Sequence, residues 1–128
     1  METTTKKTIL LVEDDIALRN VLIEKLTDEG FILISAENGE VGLEKAVASR
    51  PDLILMDIFM PKMDGITMLS KLRRADAWGK HVHVIVLSNS TDAQTIATAT
   101  GFGATDFLIK SEWGLDPLVA RIRERLKG

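Results

Sequence analysis

The 128-residue sequence contains no cysteine, which excludes disulfides, thiolate metal sites and cysteine nucleophiles. It has no apolar run near the roughly 18 residues that cross a bilayer, so no membrane insertion is expected. Its first residues, Met-Glu-Thr-Thr-Thr-Lys-Lys, carry charge without the apolar stretch of a secretory signal. Basic residues number 16 against 19 acidic ones, a formal net charge of −3. That balance lacks the polyanion-binding signature, and no direct nucleic-acid partner is expected. What is present is ordinary for a globular chain: 45% hydrophobic and 27% charged residues, at a length that needs no covalent staple. The expectation is a soluble, cytoplasmic protein of one domain spanning 1–128, with residues 1–6 disordered.

Short apolar runs alternate with amphipathic stretches. Residues 8–13, 31–36, 53–56, 81–87 and 107–109 read as strands, most of them apolar enough to be buried on both faces. Between them, Leu18, Val21, Leu22 and Leu26 recur at helical spacing until Gly30, and Val41, Leu43, Ala46 and Val47 do so before Pro51. Ile66, Leu69 and Leu72 mark a third helix after Pro61 and Gly65. A fourth, over about 93–100, has threonines against it and alanines for it, and Leu115, Leu118, Val119, Ile122 and Leu126 define the fifth. Strands alternating with helices imply an α/β fold with a parallel sheet covered on both faces.

Polar residues collect where these strands end. Glu13 and Asp14 follow the first, Asp57 the third, Ser88 the fourth and Lys110 the fifth. Open α/β sheets bind ligands beyond the carboxyl ends of their strands. Neighbouring strands lie about 4.8 Å apart, so carboxylates leaving two of them can meet on one ion. Converging carboxylates repel unless a cation or proton intervenes. An all-oxygen cluster without histidine or cysteine suits a hard ion, Mg2+ above all. With a lysine for charge and a serine hydroxyl as donor, the set describes phosphoryl transfer, Asp57 being a carboxylate nucleophile that forms an acyl phosphate. Taken singly, each residue has a plainer role: Asp14 or Asp15 capping the first helix, Asp57 opening a turn, Lys110 sitting in solvent. Their shared place at strand ends is what those plainer roles leave unexplained.

Four stretches carry a resemblance: Ile-Leu-Leu-Val-Glu-Asp-Asp at 9–15, Leu-Ile-Leu-Met-Asp-Ile-Phe-Met-Pro-Lys-Met-Asp-Gly at 53–65, Val-Ile-Val-Leu-Ser at 84–88, and Gly-Ala-Thr-Asp-Phe-Leu-Ile-Lys at 103–110. The chain resembles the receiver domain of bacterial two-component response regulators over nearly its whole length. The resemblance implies a flavodoxin-like (CheY-like), doubly wound, five-stranded parallel sheet of order 2-1-3-4-5 with five helices. It implies that Asp57 accepts a phosphoryl group from a histidine kinase or phosphotransfer protein. Asp14, Asp57 and the main-chain carbonyl of Phe59 would hold Mg2+, with Glu13 acting through a bound water. Lys110 would contact the phosphoryl group. Ser88 and Phe107 would respond to it and remodel the face formed by the fourth helix, fifth strand and fifth helix, where a downstream effector protein would bind. Homodimerisation through that face is left open.

The chain departs from the family pattern in places. Three acids in a row make either Glu13–Asp14 or Asp14–Asp15 the metal pair; the first is chosen because Glu13 directly follows the strand. Ser111 stands where a proline is usual, so a cis peptide there is not expected. Phe59 and Ser90 occupy positions that tune dephosphorylation, and an apolar Phe59 implies a long-lived phosphorylated state. A dehalogenase-type phosphatase would want an acid where Phe59 stands, and a flavin-binding flavodoxin would want a phosphate loop after the first strand. A receiver that only docks is opposed by the full set of acids, serine and lysine. His81 and His83 read as surface histidines at the far end of the sheet. Trp78 and Trp113 read as packing or rim residues, and Met56, Met60, Met63 and Met68 as core and loop filler. Arg121, Arg123, Arg125 and Lys127 crowd the last helix, as solvated charge or a docking surface. A stand-alone receiver is preferred over an excised domain.

Overall fold

The computed structural model describes residues 6–89 and 91–127. Five parallel strands, β1 (Thr8–Val12), β2 (Ile32–Ala36), β3 (Leu53–Met56), β4 (His83–Ser88) and β5 (Asp106–Ile109), form one sheet of order β2-β1-β3-β4-β5. The helices are α1 (Ile16–Asp28), α2 (Gly39–Ser49), α3 (Gly65–Arg73), α4 (Ala77–His81), α5 (Ala93–Gly101) and α6 (Leu115–Leu126), with a 3-10 turn at Lys110–Glu112. The five expected helices are all present. The sixth, α4, is five residues capped by the Asp76 side chain at Gly79 N–H. It takes up His81, so β4 begins at His83 rather than at 81.

The strands are apolar on both sides because both sides are covered. Leu10, Val12, Ile54, Met56, Val84 and Val86 pack in one core with Ala46 of α2, Met68, Leu69 and Leu72 of α3, and Ala99 of α5. Their neighbours in sequence, Ile9, Leu11, Leu53, Leu55, Ile85 and Leu87, pack on the other face with Leu22 and Leu26 of α1 and Leu118, Val119 and Ile122 of α6. The alternation of strand side chains thus splits one hydrophobic run into two cores. Each fully buried leucine or isoleucine contributes about 1.5–3 kcal/mol, and that is what sets the register.

Helix ends follow local chemistry. Asp15, Asn38, Asp64 and Asp92 each accept a backbone N–H in the first turn of the following helix. Gly30 takes a positive φ of 97° just beyond α1, where Phe31 N–H returns to the Leu26 carbonyl. Gly65 is required for closeness: a Cβ there would overlap the Asp57 carbonyl oxygen, so α3 can start directly against the end of β3. Among the described residues there is no cis peptide, in keeping with Ser111. The disorder expected at 1–6 falls, except for exposed Lys6, outside the described residues, as does the dephosphorylation role expected of Ser90.

Candidate functional site

The sheet register brings the strand ends together. Val12 pairs with Met56, so the residues that follow them, Glu13 and Asp57, leave neighbouring strands side by side. The ladder runs one residue further on both: Asp57 N–H donates to the Val12 carbonyl at 3.1 Å, and Glu13 N–H to the Ala36 carbonyl at 3.0 Å. Ser88 ends β4, the next strand, and is buried; it pairs with Ile109, the residue before Lys110. Phe107 lies lower on β5, paired with Val86, and is half-buried against the α3 side of the core. Phe59 is the second residue after Asp57, in the loop before α3, and is 62% exposed.

Three carboxylates converge there. Glu13, Asp14 and Asp57 each offer an oxygen, and these atoms all lie within 4.8 Å of one another, so the cluster could hold a metal ion. Glu13 and Asp57 are buried, at 2% and 8% exposure, whereas Asp14 is exposed. A cation bridges two of them: Lys110 Nζ lies 2.9 Å from a Glu13 oxygen and 3.0 Å from an Asp57 oxygen. The other Asp57 oxygen accepts Ile58 N–H at 2.7 Å. Burial raises the Glu13 carboxyl above its ordinary value, and the hydrogen bond from Lys110 only partly offsets that. Burial also acts to depress Lys110, but hydrogen bonds to Glu13 and Asp57 prevail and hold its ammonium above the usual lysine range. By formal charge, three carboxylates thus outnumber the one ammonium that pairs with them.

Asp15 stands apart from this cluster. Its side chain accepts Leu18 N–H at 3.1 Å, and its own N–H donates to Glu13 at 3.1 Å. Of the residues named from sequence, Glu13, Asp14, Asp57 and Lys110 are brought together, with Ser88 at the adjoining strand end. Sequence reasoning missed Arg19, whose Nη1 donates to the Glu13 carbonyl at 2.8 Å. The available signal was a cation close behind a helix N-terminus.

His83 begins β4, at the opposite end of the sheet, where its ring lies 3.3 Å from the Thr105 hydroxyl. The arginines of α6 are paired: Arg121 and Arg125 with Asp106, Arg123 with Glu29. Trp113 lies under Arg121, 5.2 Å from its guanidinium carbon. Among the described residues no helix is long and apolar enough to cross a membrane.

Comparison with known proteins agrees with this geometry. A family model described as a response regulator receiver domain matches residues 9–123. The chemotaxis protein CheY of Bacillus subtilis is 37% identical over 103 residues, covering 80% of this chain and 83% of that protein. The transcriptional regulatory protein AfsQ1 of Streptomyces coelicolor is 35% identical over 119 residues, or 93% of this chain and 51% of that one. The chain thus spans about half the length of the transcriptional regulators it matches. A putative response regulator from Chloroflexus aurantiacus superposes with a TM-score of 0.87 at 26% identity, over 97% of this chain and all of that one. The CheX-CheY-BeF3-Mg2+ complex from Borrelia burgdorferi gives a chain of TM-score 0.83 at 30% identity, over 92% of this chain and 87% of that one.

Proposed function

The chain belongs to the response regulator receiver domain family, a family of signalling domains, and from that premise we propose that Asp57 is its phosphoacceptor. The observation that carries this reading is the placement of Asp57: a nearly buried carboxylate, 3.0 Å from Lys110 Nζ and clustered with Glu13 and Asp14. A carboxylate oxygen of Asp57 attacks the phosphorus of a phosphohistidine on a histidine kinase or phosphotransfer protein. The P–N bond breaks, and its electron pair stays on the imidazole. Lys110 balances the charge carried by the phosphoryl oxygens.

The donor set fits Mg2+. It is all oxygen, two of its three carboxylates are buried, and the exposed Asp14 leaves room for water and phosphate ligands. Asp14, Asp57 and the Phe59 carbonyl would hold the ion, with Glu13 reaching it through water. Mg2+ supplies charge neutralisation at the phosphoryl oxygens. Once formed, the acyl phosphate adds about −2 charge and strong acceptors beside Ser88 and Lys110. Ser88 closes toward it, Phe107 follows, and the face of α5, β5 and α6 changes shape for a downstream effector. The chain acts in the cytoplasm, phosphorylates itself from small phosphodonors and hydrolyses its own acyl phosphate.

The test is incubation with acetyl phosphate and Mg2+, followed by mass analysis of the 53–65 region. One phosphoryl group on Asp57, absent in Asp57→Asn and absent without Mg2+, supports the reading. An unmodified wild-type chain contradicts it.

A further inference from the structure

We propose that Arg19 is a positioning residue for the acidic loop after β1: its guanidinium fixes the Glu13–Asp14 peptide and thereby aims Asp14 at the cation site. The inference deepens the reading above and rests on it. Glu13 is held at each polar group. Its N–H donates to Ala36 and its carboxylate oxygens take Lys110 and Asp15 N–H. Its carbonyl accepts Arg19 Nη1 at 2.8 Å. Only the last of these acts on the peptide that leads into Asp14. A peptide unit is rigid, so a donor that holds its carbonyl also sets the direction in which the next residue leaves. Asp14 is exposed and has no core packing to aim it; its direction comes from the backbone.

Helix stability does not account for the placement of Arg19. Asp15 is the cap of α1, which puts Arg19 at the fourth helical position, and the first turn of α1 has no acidic residue. A cation there opposes the helix dipole. Side chains of a helix slant toward its N-terminus, so from this position the guanidinium reaches back over the first turn to the loop. The bond to the Glu13 carbonyl is what the location achieves.

A positioning role and a purely electrostatic one have opposite signs. If Arg19 acted only through its charge, removing it would leave the site more negative and Mg2+ would bind more tightly. If it positions the loop, removing it lets the peptide rotate and Mg2+ binds more weakly, by about tenfold, as for other groups that orient metal ligands.

Calorimetric titration of the whole chain with MgCl2 at constant ionic strength separates the two. Arg19→Gln should bind about tenfold more weakly than wild type, and Arg19→Lys, which keeps charge on a shorter single-point donor, should fall between them. Arg19→Gln binding as tightly as wild type, or more tightly, overturns the inference while leaving the phosphoacceptor reading intact. Should Arg19→Gln fail to fold by circular dichroism, Arg19→Lys decides alone: weaker binding than wild type supports the role and equal binding overturns it. A wild-type chain that binds no Mg2+ removes the phosphoacceptor reading and this inference with it.

Discussion

Both ends of the sheet bury a carboxylate against basic side chains, and the two are balanced in opposite senses. Where β5 begins, the side chain of Asp106 is 7% exposed and takes two guanidiniums, Arg121 at 2.6 Å and Arg125 at 2.7 and 2.9 Å. Burial alone would raise its carboxyl; the hydrogen bonds from Arg125 and Arg121 outweigh that and hold it below the ordinary range. Where β1 and β3 end, three carboxylates converge; the Lys110 ammonium pairs with two of them, Glu13 and Asp57, and the Arg19 guanidinium meets only the Glu13 main-chain carbonyl. An acid with more than enough cation is a fastener, and here it straps α6 to β5. A cluster left short of cation is incomplete until a partner arrives. The difference predicts which end loses function on mutation and which loses stability.

The largest contrast should come from Asp57→Asn, which abolishes phosphoryl uptake by mass analysis. Its stability in urea should be nearly unchanged, within about 1 kcal/mol, since a repelling charge is gone while the single amide oxygen can replace only one of the two acceptors that Asp57 offers to Lys110 and Ile58 N–H. A clear loss of stability would make Asp57 a fastener too. Lys110→Ala should slow uptake from acetyl phosphate by about 100-fold, the scale of losing one electrostatic contact to a reacting oxyanion. It should also make the Mg2+-free chain less stable, with Mg2+ restoring part of the loss.

Asp106→Asn reverses the pattern. Breaking a buried ion pair costs about 3–5 kcal/mol, and because both arginines keep access to solvent the expected loss is about 2 kcal/mol. That corresponds to a Tm lowered by about 8 °C, with Mg2+ binding unaltered. A carboxyl whose folded pKa is depressed contributes stability above its unfolded value, near 3.9, and loses it as pH falls through the folded value. The gap between wild type and Asp106→Asn in urea midpoints should therefore be full at neutral pH and narrow below about pH 4. The smallest effect concerns Phe59. An apolar side chain two residues after Asp57 should slow hydrolysis, giving the acyl phosphate a half-life of minutes or longer in a phosphate-release assay; a half-life of seconds would contradict this.

Much of the fold was legible because its signals are local. Apolar runs as clean as residues 53–56 have few other readings, and the Asp14-Asp15 pair, of which Asp15 is the cap, and Gly30 marked the ends of α1 by cap and turn chemistry. The strand ends were legible for the same reason, since Glu13, Asp57 and Lys110 each follow an apolar run directly. What stayed hidden depends on distant partners. Five residues of α4 are too few for a helical period to show, and the Asp76 cap that starts it looks like any loop acid. The arginines of α6 could not be told from solvated charge until Asp106 was seen at the start of β5, 15 and 19 residues away in sequence. Arg19 offered only its place behind a helix N-terminus, because its partner is a main-chain carbonyl, which no residue type announces.

The charge deficit at the strand ends is tested most directly by urea unfolding in MgCl2 against NaCl of equal ionic strength. At ten times the dissociation constant, Mg2+ should stabilise wild type by about 1.4 kcal/mol. Asp106→Asn should keep that increment in full and Asp57→Asn should lose most of it. No increment in wild type, or an equal one in Asp57→Asn, would contradict the assignment of the strand-end carboxylates as the cation site.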